Sequence, residues 1–141
     1  GVKAQEIQAL LVVNDAIPAN AMQKTLMEMA VPSGLKVRFA TVEEGAGLLK
    51  QDGDPSRSLV LFSNPSDVLK SVRQGAGIPS VNVGGMHFGE GKRQVGKTVC
   101  VGPEDVEAFR ELKRLGVVLE VRAVPGDMKE PLEKFLPELK N

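Results

Sequence analysis

The chain has 141 residues, 42% of them apolar, and its 18 basic and 18 acidic side chains give a formal net charge of zero. A chain of this length fits one domain, and a balanced charge gives no reason to expect nucleic acid or an anionic membrane as a partner. The one cysteine excludes an internal disulfide and fits a reducing cytoplasm, and no apolar run approaches the ~20 residues of a membrane span.

Short apolar and β-branched runs predict a series of strands along the chain. These strands are Ala9–Val13, Leu35–Ala40, Ser58–Phe62, Ser80–Val83, Thr98–Val101 and Val117–Val121. The first and third runs are nearly continuously apolar, which is typical of strands covered on both faces. In contrast, Lys36, Arg38 and Glu120 alternate with apolar neighbours and indicate more peripheral strands.

Helical patterns fill the gaps between these strands. Met22, Leu26, Met29 and Ala30 mark one face of a helix over about 19–31, and a last amphipathic helix is predicted over about 127–139. Strands that alternate with helices predict an α/β fold, with a doubly wound, mostly parallel sheet and helices on both faces.

Three helix starts carry local signals. Thr41-Val42-Glu43-Glu44 has the pattern of a capping box. Asn64-Pro65-Ser66-Asp67 and Gly102-Pro103-Glu104-Asp105 each place a proline at the first helical position and an acid in the first turn.

Ligands of open α/β sheets bind beyond the carboxyl ends of the strands. The residues that follow three predicted strands therefore form a candidate phosphate or sugar rim, namely Asn14, Asp15, Ser63, Asn64, Gly84, Gly85 and Met86. Asp15 suits orienting an imidazole or accepting from a sugar hydroxyl, and it equally suits a turn or helix entry. Ser63 and Asn64 suit donation to a phosphate, although helix capping explains Asn64 fully.

The stretch Ser80–Val95 is rich in glycine and ends in two cations. Paired glycines at a strand end allow φ > 0 and a close approach of backbone N–H groups to a ligand. Lys92 and Arg93 would then neutralise a bound anion. The alternative interpretation is a glycine turn that closes a hairpin with a solvated basic edge.

His87 is the only imidazole of the chain. A lone histidine serves as a phosphoryl acceptor or a general base, or has no chemical role. No Ser/Asp constellation lies near it in sequence, so no catalytic residue is assigned and His87 stays a candidate only. Cys100 lies in mid-strand, where a thiol behaves as a small buried hydrophobe. No metal-ligand spacing is present, and no cofactor is expected.

Several segments together resemble the IIB components of the bacterial phosphotransferase system (PTS), in the mannose/fructose/sorbose/N-acetylgalactosamine family. The first half of the chain contributes LVVND at 11–15, KTLM at 24–27 and LFSNP at 61–65. The second half contributes VNVGGM at 81–86, GKRQV at 91–95, DVEAF at 105–109, GV at 116–117 and VPGD at 124–127. The segment at 81–86 followed by GK-x-Q carries the most specific part of the resemblance.

The resemblance implies a cytoplasmic phosphocarrier that associates peripherally with a membrane permease. Family members take a phosphoryl group from a IIA histidine and pass it to a sugar that enters through the IIC and IID membrane components. Their own histidine lies in an R-I-D-x-R-x-x-H-G-Q loop after the first strand of the fold. This chain contains no such segment, so we expect a single IIB-type domain over residues 1–141 that is N-terminally incomplete relative to the family. The resemblance does not assign the phosphorylated histidine to His87.

Two other functions stay open at this point. The chain can serve as a non-catalytic docking or regulatory module for IIA or the membrane components, or as an unrelated α/β enzyme that uses His87 with Asp15. Because open strand edges recruit other strands, we also expect a homodimer. In the family the first strand lies in the middle of the sheet, so its absence would leave a central position vacant. The dimer contacts would lie near that position, flanked by Leu10–Val13 and Leu59–Phe62.

Overall fold

Strands and helices alternate along the chain, as the sequence predicts. The computed structural model describes residues 9–51, 58–122 and 126–140. The helices are α1 (Ala21–Ala30), α2 (Val42–Gln51), α3 (Pro65–Arg73) and α4 (Pro103–Arg114). The strands are β1 (Ala9–Val13), β2 (Lys36–Ala40), β3 (Ser58–Phe62), β4 (Ser80–Val83), β5 (Arg93–Gln94), β6 (Cys100–Val101), β7 (Val118–Val121) and β8 (Glu130–Pro131).

The chain divides into two compact units. The N-terminal unit comprises Gly1–Ser63 with Lys70–Gly77, and the C-terminal unit comprises Asn64–Leu69 with Ile78–Asn141. Three strands, β1, β3 and β4, have the predicted bounds, whereas the strand predicted at Thr98–Val101 is limited to β6. The α/β class with mostly parallel strands is confirmed.

Strand β1 is the centre of the N-terminal sheet, whose order is β2-β1-β3 with both pairings parallel. Alternate side chains of β1 enter two different cores. Leu11 and Val13 pack in the cluster that includes Leu48 of α2, whereas Leu10 and Val12 pack in the cluster that includes Met27 of α1. Helices therefore cover both faces of β1, which explains its uninterrupted apolar sequence.

This arrangement corrects the expected position of Leu10–Val13. These residues do not border a vacancy, because β1 is hydrogen-bonded on both sides. Among the described residues β3 pairs with β1 alone, so of these two runs Leu59–Phe62 is the one that lies at a sheet edge. The alternation of Lys36 and Arg38 correctly predicted that β2 is an edge strand.

Helix α2 lies very close to β1 because residue 45 has no side chain. A Cβ built on Gly45 would lie 2.9 Å from Cγ2 of Val13. Val13 is fully buried and branched at Cβ, so it cannot move aside. The glycine therefore sets the distance between this helix and the sheet.

Helix α1 presents its predicted apolar face to solvent. Asn20 caps its start, since its side chain accepts a hydrogen bond from the Gln23 N–H at 3.0 Å. Met22, Leu26 and Met29 are 75%, 60% and 78% exposed. The helix contacts the sheet through Met27 instead.

The C-terminal unit combines a three-stranded sheet with a short ladder. Strand β7 pairs in parallel with β4 and antiparallel with β8, while β5 and β6 form a separate antiparallel pair. Glu120 therefore lies on a central strand, so the prediction of a peripheral strand there is wrong. Helix α4 contacts β6 and β7 and buries Phe109 and Leu112 almost completely.

The prediction of a helix over about 127–139 is wrong. The described part of this segment forms β8 and two 3-10 turns, Leu132–Lys134 and Pro137–Leu139. Pro131 and Pro137 lack the N–H that an α-helix interior needs, so they interrupt the predicted periodicity. Leu132, Leu136 and Leu139 are nevertheless buried.

A single lysine ties this end of the chain to α4. The Nζ of Lys113 donates to Oε2 of Glu133 at 2.7 Å and to the carbonyl of Leu139 at 2.6 Å. The hydrogen bond from Lys113 lowers the pKa of Glu133 below its ordinary value of 4.5. Since the pKa of Glu133 is lowered in the folded state, its hydrogen bond with Lys113 stabilises the fold above the ordinary carboxyl pKa. This stabilisation is lost as the pH falls through the lowered pKa.

We predict that Gly45→Ala lowers stability by about 1–3 kcal/mol, because the new methyl group overpacks against Val13. Gly47→Ala is the matched control in the same helix, since nothing lies within 4 Å of a Cβ at Gly47. The free energy of unfolding of that control should rise by up to about 1 kcal/mol, because alanine has a higher helix propensity than glycine. Urea unfolding followed by circular dichroism measures both changes, since the chain has no Trp or Tyr. Equal midpoints for the two variants would contradict the close approach.

Candidate functional site

Asn14 and Ser63 join the carboxyl ends of two adjacent strands. The Nδ2 of Asn14 donates to Oγ of Ser63 at 2.7 Å. The Oδ1 of Asn14 accepts from the N–H groups of Ala16 and Ile17 at 2.8 and 2.9 Å. The Asn14 side chain therefore stabilises the 3-10 turn Ile17–Ala19 that follows β1. It also fixes the position of the Ser63 hydroxyl at the end of β3.

Asp15 links the end of β1 to the start of α2. Its Oδ1 accepts from the Val42 N–H at 2.8 Å. The predicted capping box is confirmed beside it, because Oγ1 of Thr41 accepts from the Glu44 N–H at 3.1 Å and the Thr41 N–H donates to Oε1 of Glu44 at 2.9 Å. These hydrogen bonds lower the pKa of Glu44 below its ordinary value. Asp15 thus acts as an additional cap for α2, and its carboxylate lies at the end of the strand.

Asn64 is the helix cap that its sequence context predicts. Its Oδ1 accepts from the Asp67 N–H at 2.8 Å at the start of α3. The side chain is exposed. Capping accounts for this residue, as expected.

The backbone at Gly84-Gly85-Met86 is already hydrogen-bonded to Thr98. The N–H of Met86 donates to the Thr98 carbonyl at 2.8 Å, and the carbonyl of Gly84 accepts from Oγ1 of Thr98 at 3.1 Å. Neither glycine has a positive φ, so the expected left-handed conformation is wrong there. Met86 instead forms a parallel bridge to Val99. Positive φ occurs at Gly91 instead, at 80°.

The two cations after the glycines are paired with carboxylates of the protein. The Nζ of Lys92 lies 3.6 Å from Oδ2 of Asp105, and Arg93 forms an ion pair with Glu138. Asp105 is buried and also accepts from the Gly102 N–H at 2.9 Å, which caps α4. The sequence did not indicate these pairings. An external anion at this place would therefore compete with ion pairs that both cations already make.

His87 is exposed, and among the described residues its side chain has no hydrogen-bond or ion-pair partner. Phe88 beside it is 75% exposed. Cys100 is buried, as predicted. Within residues 9–51, 58–122 and 126–140, no cluster of His, Cys, Asp and Glu side chains suits a metal ion.

The candidate rim residues fall into two sets. Asn14, Asp15 and Ser63 belong to the N-terminal unit, where the first and last share a hydrogen bond. Asn64, Gly84, Gly85 and Met86 belong to the C-terminal unit. In the part of the chain that the structure describes, no helix is long and apolar enough to cross a membrane.

Comparison with known proteins matches this chain to one family. The family model described as PTS system sorbose subfamily IIB component matches residues 2–141. The chain belongs to the PTS sorbose-subfamily IIB components.

Individual relatives agree with this assignment. The sorbose-specific EIIB component of Klebsiella pneumoniae is 37% identical over 126 residues, which cover 89% of this chain and 77% of the relative. The mannose-specific EIIAB component of Escherichia coli K12 is 39% identical over 131 residues, which cover 90% of this chain and 40% of the relative.

A solved structure agrees in fold as well. The IIBSor domain of the sorbose permease from Klebsiella pneumoniae matches with a TM-score of 0.83 and 35% identity, and the match covers 94% of this chain and 82% of that chain. The protein is therefore a sugar-specific PTS IIB component, as the ordered motifs of the sequence predicted.

We predict that Asn14→Ala destabilises this IIB component by about 2 kcal/mol, because it removes a side-chain hydrogen bond and two bonds to backbone N–H groups. Ser63→Ala removes only one of these bonds and should cost about 1 kcal/mol. Asn14→Asp keeps the acceptor for Ala16 and Ile17 and lets the Ser63 hydroxyl become the donor, so it should be closest to wild type. Urea midpoints at neutral pH rank the variants. A loss for Ser63→Ala as large as that for Asn14→Ala would refute this assignment of the bonds.

Proposed function

We propose that this IIB component is a phosphocarrier that accepts a phosphoryl group from a IIA histidine and passes it to the incoming sugar. In the first transfer the P–N bond of the IIA phosphohistidine breaks as a new P–N bond forms on a IIB imidazole. In the second transfer the P–N bond on the IIB imidazole breaks as a P–O bond forms on the sugar hydroxyl, and the hydroxyl proton passes to the released imidazole. The family match over residues 2–141 is the observation that carries this proposal.

The N-terminal unit supports the proposal through the residues at its strand ends. Parallel strands present their carboxyl ends at one edge of the sheet, where ligands of α/β folds bind. Asn14 and Ser63 supply an amide and a hydroxyl there, held 2.7 Å apart by their own hydrogen bond. Asp15 adds a carboxylate that is already fixed by the start of α2. These groups suit orientation of an imidazole or a phosphoryl oxygen.

We propose further that the acceptor-histidine loop is not part of these 141 residues. His87 is the single histidine of the sequence, and its imidazole is exposed with no carboxylate partner among the described residues. A phosphoryl-accepting histidine needs a group that holds its tautomer and orientation. Among the residues that the structure describes, none provides such a group for His87.

The partners of this function follow from the same proposal. IIA delivers the phosphoryl group, the IIC and IID membrane components present the sugar, and the IIB chain works in the cytoplasm at the permease. The name of the mannose-specific EIIAB relative joins a IIA and a IIB function in one chain, which supports IIA as a partner. The sugar belongs to the mannose/fructose/sorbose/galactosamine class. We further propose that residues 1–141 act as one IIB-type domain, that the chain forms a homodimer, and that it uses no cofactor or metal.

We predict that the 141-residue chain does not take up stoichiometric phosphate. The assay incubates it with labelled phosphoenolpyruvate, the general phosphotransferase proteins and a cognate IIA, and measures acid-labile label on the chain. His87→Ala is the matched variant and should give the same background. Stoichiometric label that disappears in His87→Ala would overturn the claim that His87 is not the acceptor. A chain extended at its start by an R-I-D-x-R-x-x-H-G-Q segment should gain the label.

A second function, non-catalytic docking of IIA, is favoured by the rim itself. Asn14 and Ser63, at the ends of β1 and β3, are held in place by their own hydrogen bond. The sole histidine of the sequence lies in the C-terminal unit instead. A rim of this kind can bind a partner without accepting its phosphoryl group.

For docking, we predict micromolar binding of IIA by calorimetry. Ser63→Glu should weaken binding of phosphorylated IIA by at least about tenfold, because a negative charge at the rim repels its phosphoryl group. Lys36→Glu is the control, since Lys36 begins β2 at the opposite end of the parallel sheet. Absence of binding to the wild-type chain at high micromolar concentration would rule out the docking function.

A further inference from the structure

Strand β2 keeps one side of its backbone free. It is the outer strand of the order β2-β1-β3 among the described residues. The carbonyl of Ala40 accepts from the Asn14 N–H at 3.0 Å, so the backbone groups of Ala40 point toward β1. Because neighbouring residues of a strand direct their N–H and C=O groups to opposite sides, those of Val37 and Phe39 point away from β1. Within the described ranges, no hydrogen bond reaches these outward groups.

The side chains of this edge carry positive charge. Lys36 and Arg38 are both exposed, and neither forms an ion pair in the part of the chain that the structure describes. Arg38 is in register with Leu11, which packs in the cluster under α2, so its side chain stands on the sheet face that carries this helix. The pKa of Glu44 is lowered first by its hydrogen bonds with Thr41 and least by the charge of Arg38. The guanidinium is therefore available to another carboxylate.

A cleft lies between the end of β2 and α2. Its volume is about 350 Å³, and its lining includes Arg38 and Ala40 from the strand and Glu44, Gly47 and Leu48 from the helix. Glycine inside a helix is unfavourable relative to alanine, yet a Cβ at Gly47 would meet nothing within 4 Å. Packing among the described residues therefore gives no reason for a glycine at this position. Its absent side chain instead leaves room in the cleft.

We propose that β2 binds an extended acidic segment of a partner protein as an added strand. The backbone of the segment pairs with Val37 and Phe39, which is the mode of recognition called β-strand addition. One carboxylate of the segment faces Arg38. The side chain two positions along is apolar and enters the cleft beside Gly47, because alternate residues of a strand point to the same face.

Charge selects this occupant over a second copy of the chain. Two β2 strands paired edge to edge would bring Lys36 and Arg38 of both copies together, and like charges on adjacent strands are destabilising. Charged side chains, lysine above all, protect sheet edges from such self-pairing. The same charges attract a strand that carries carboxylates. The inference does not depend on the phosphoryl relay.

Amide hydrogen exchange of the 141-residue chain, measured by NMR, tests this edge. The probe is the peptide acetyl-Val-Thr-Glu-Thr-Val-amide, whose pattern is the same in parallel and antiparallel pairing. In the free chain the amides of Val37 and Phe39 should exchange rapidly, whereas those of Arg38 and Ala40 should be protected by β1. At ~1 mM the peptide should slow exchange at Val37 and Phe39 about threefold, which is one plus the ratio of its concentration to a Kd of roughly 0.5 mM.

Matched variants test the charge and the cleft separately. Arg38→Glu should weaken binding of the peptide at least about tenfold, and a peptide with lysine in place of glutamate should then restore it. Lys129→Glu makes a charge change of the same size at an exposed residue of the C-terminal unit and should leave binding unchanged. Gly47→Ala should weaken binding although it favours the helix, so loss of binding cannot then be caused by unfolding.

Several outcomes would overturn the proposal. Protected amides at Val37 and Phe39 in the free chain would mean that this edge is already covered. No slowing by the peptide at ~1 mM, a Kd far weaker than the roughly 0.5 mM expected, or equal binding of the lysine peptide to wild type would also contradict it. Protection that rises with the concentration of the chain alone would identify a second copy as the occupant instead. None of these results decides the phosphoryl relay, which the labelling assay tests.

Discussion

The two-sided burial of β1 is the constraint on which the N-terminal unit depends. Its alternate side chains belong to two cores, so no residue of Leu10–Val13 can become polar without leaving an unpaired group inside. The strand also fixes where its neighbours lie. Gly45 lets α2 approach one face, Met27 brings α1 onto the other, and β2 and β3 pair along both edges. The residues that follow β1 are therefore delivered to a fixed position at the end of the sheet.

Asn14 and Asp15, the residues that follow β1, belong to the candidate ligand site and also stabilise the fold. Asn14 and Asp15 each use a side-chain oxygen to satisfy backbone N–H groups that would otherwise lack partners. Such residues are fixed before any ligand arrives, which lowers the ordering cost of binding. The C-terminal unit behaves differently, because Lys92 and Arg93 are occupied by Asp105 and Glu138. An anion there would compete with ion pairs that the protein already makes.

The sequence predicted correctly those features that depend on neighbouring residues in the chain. The bounds of β1, β3 and β4 follow from apolar runs bounded by polar residues, and the starts of α2, α3 and α4 follow from their capping residues. The meeting of Asn14 with Ser63 was also predictable, because parallel strands end at one edge. The relation between the candidate site and the acceptor histidine rests on the family resemblance instead.

Features that depend on tertiary contacts were not predictable in the same way. The spacing of Met22, Leu26 and Met29 identifies a helix face, but only the packing of Met27 shows that this face points outward. Periodicity alone predicted a helix near the end of the chain, and it ignored Pro131 and Pro137. The pairing of Arg93 with Glu138 joins residues that are 45 positions apart, so no local pattern could indicate it.

The bond between Asn14 and Ser63 has a consequence for the conditions under which the strand ends keep their shape. Both partners are neutral, and neither titrates in the range where proteins work. Dissolved salt screens charges but leaves a short bond between an amide and a hydroxyl almost unaffected. The spacing of the ends of β1 and β3 is therefore insensitive to ionic strength and to moderate acidification.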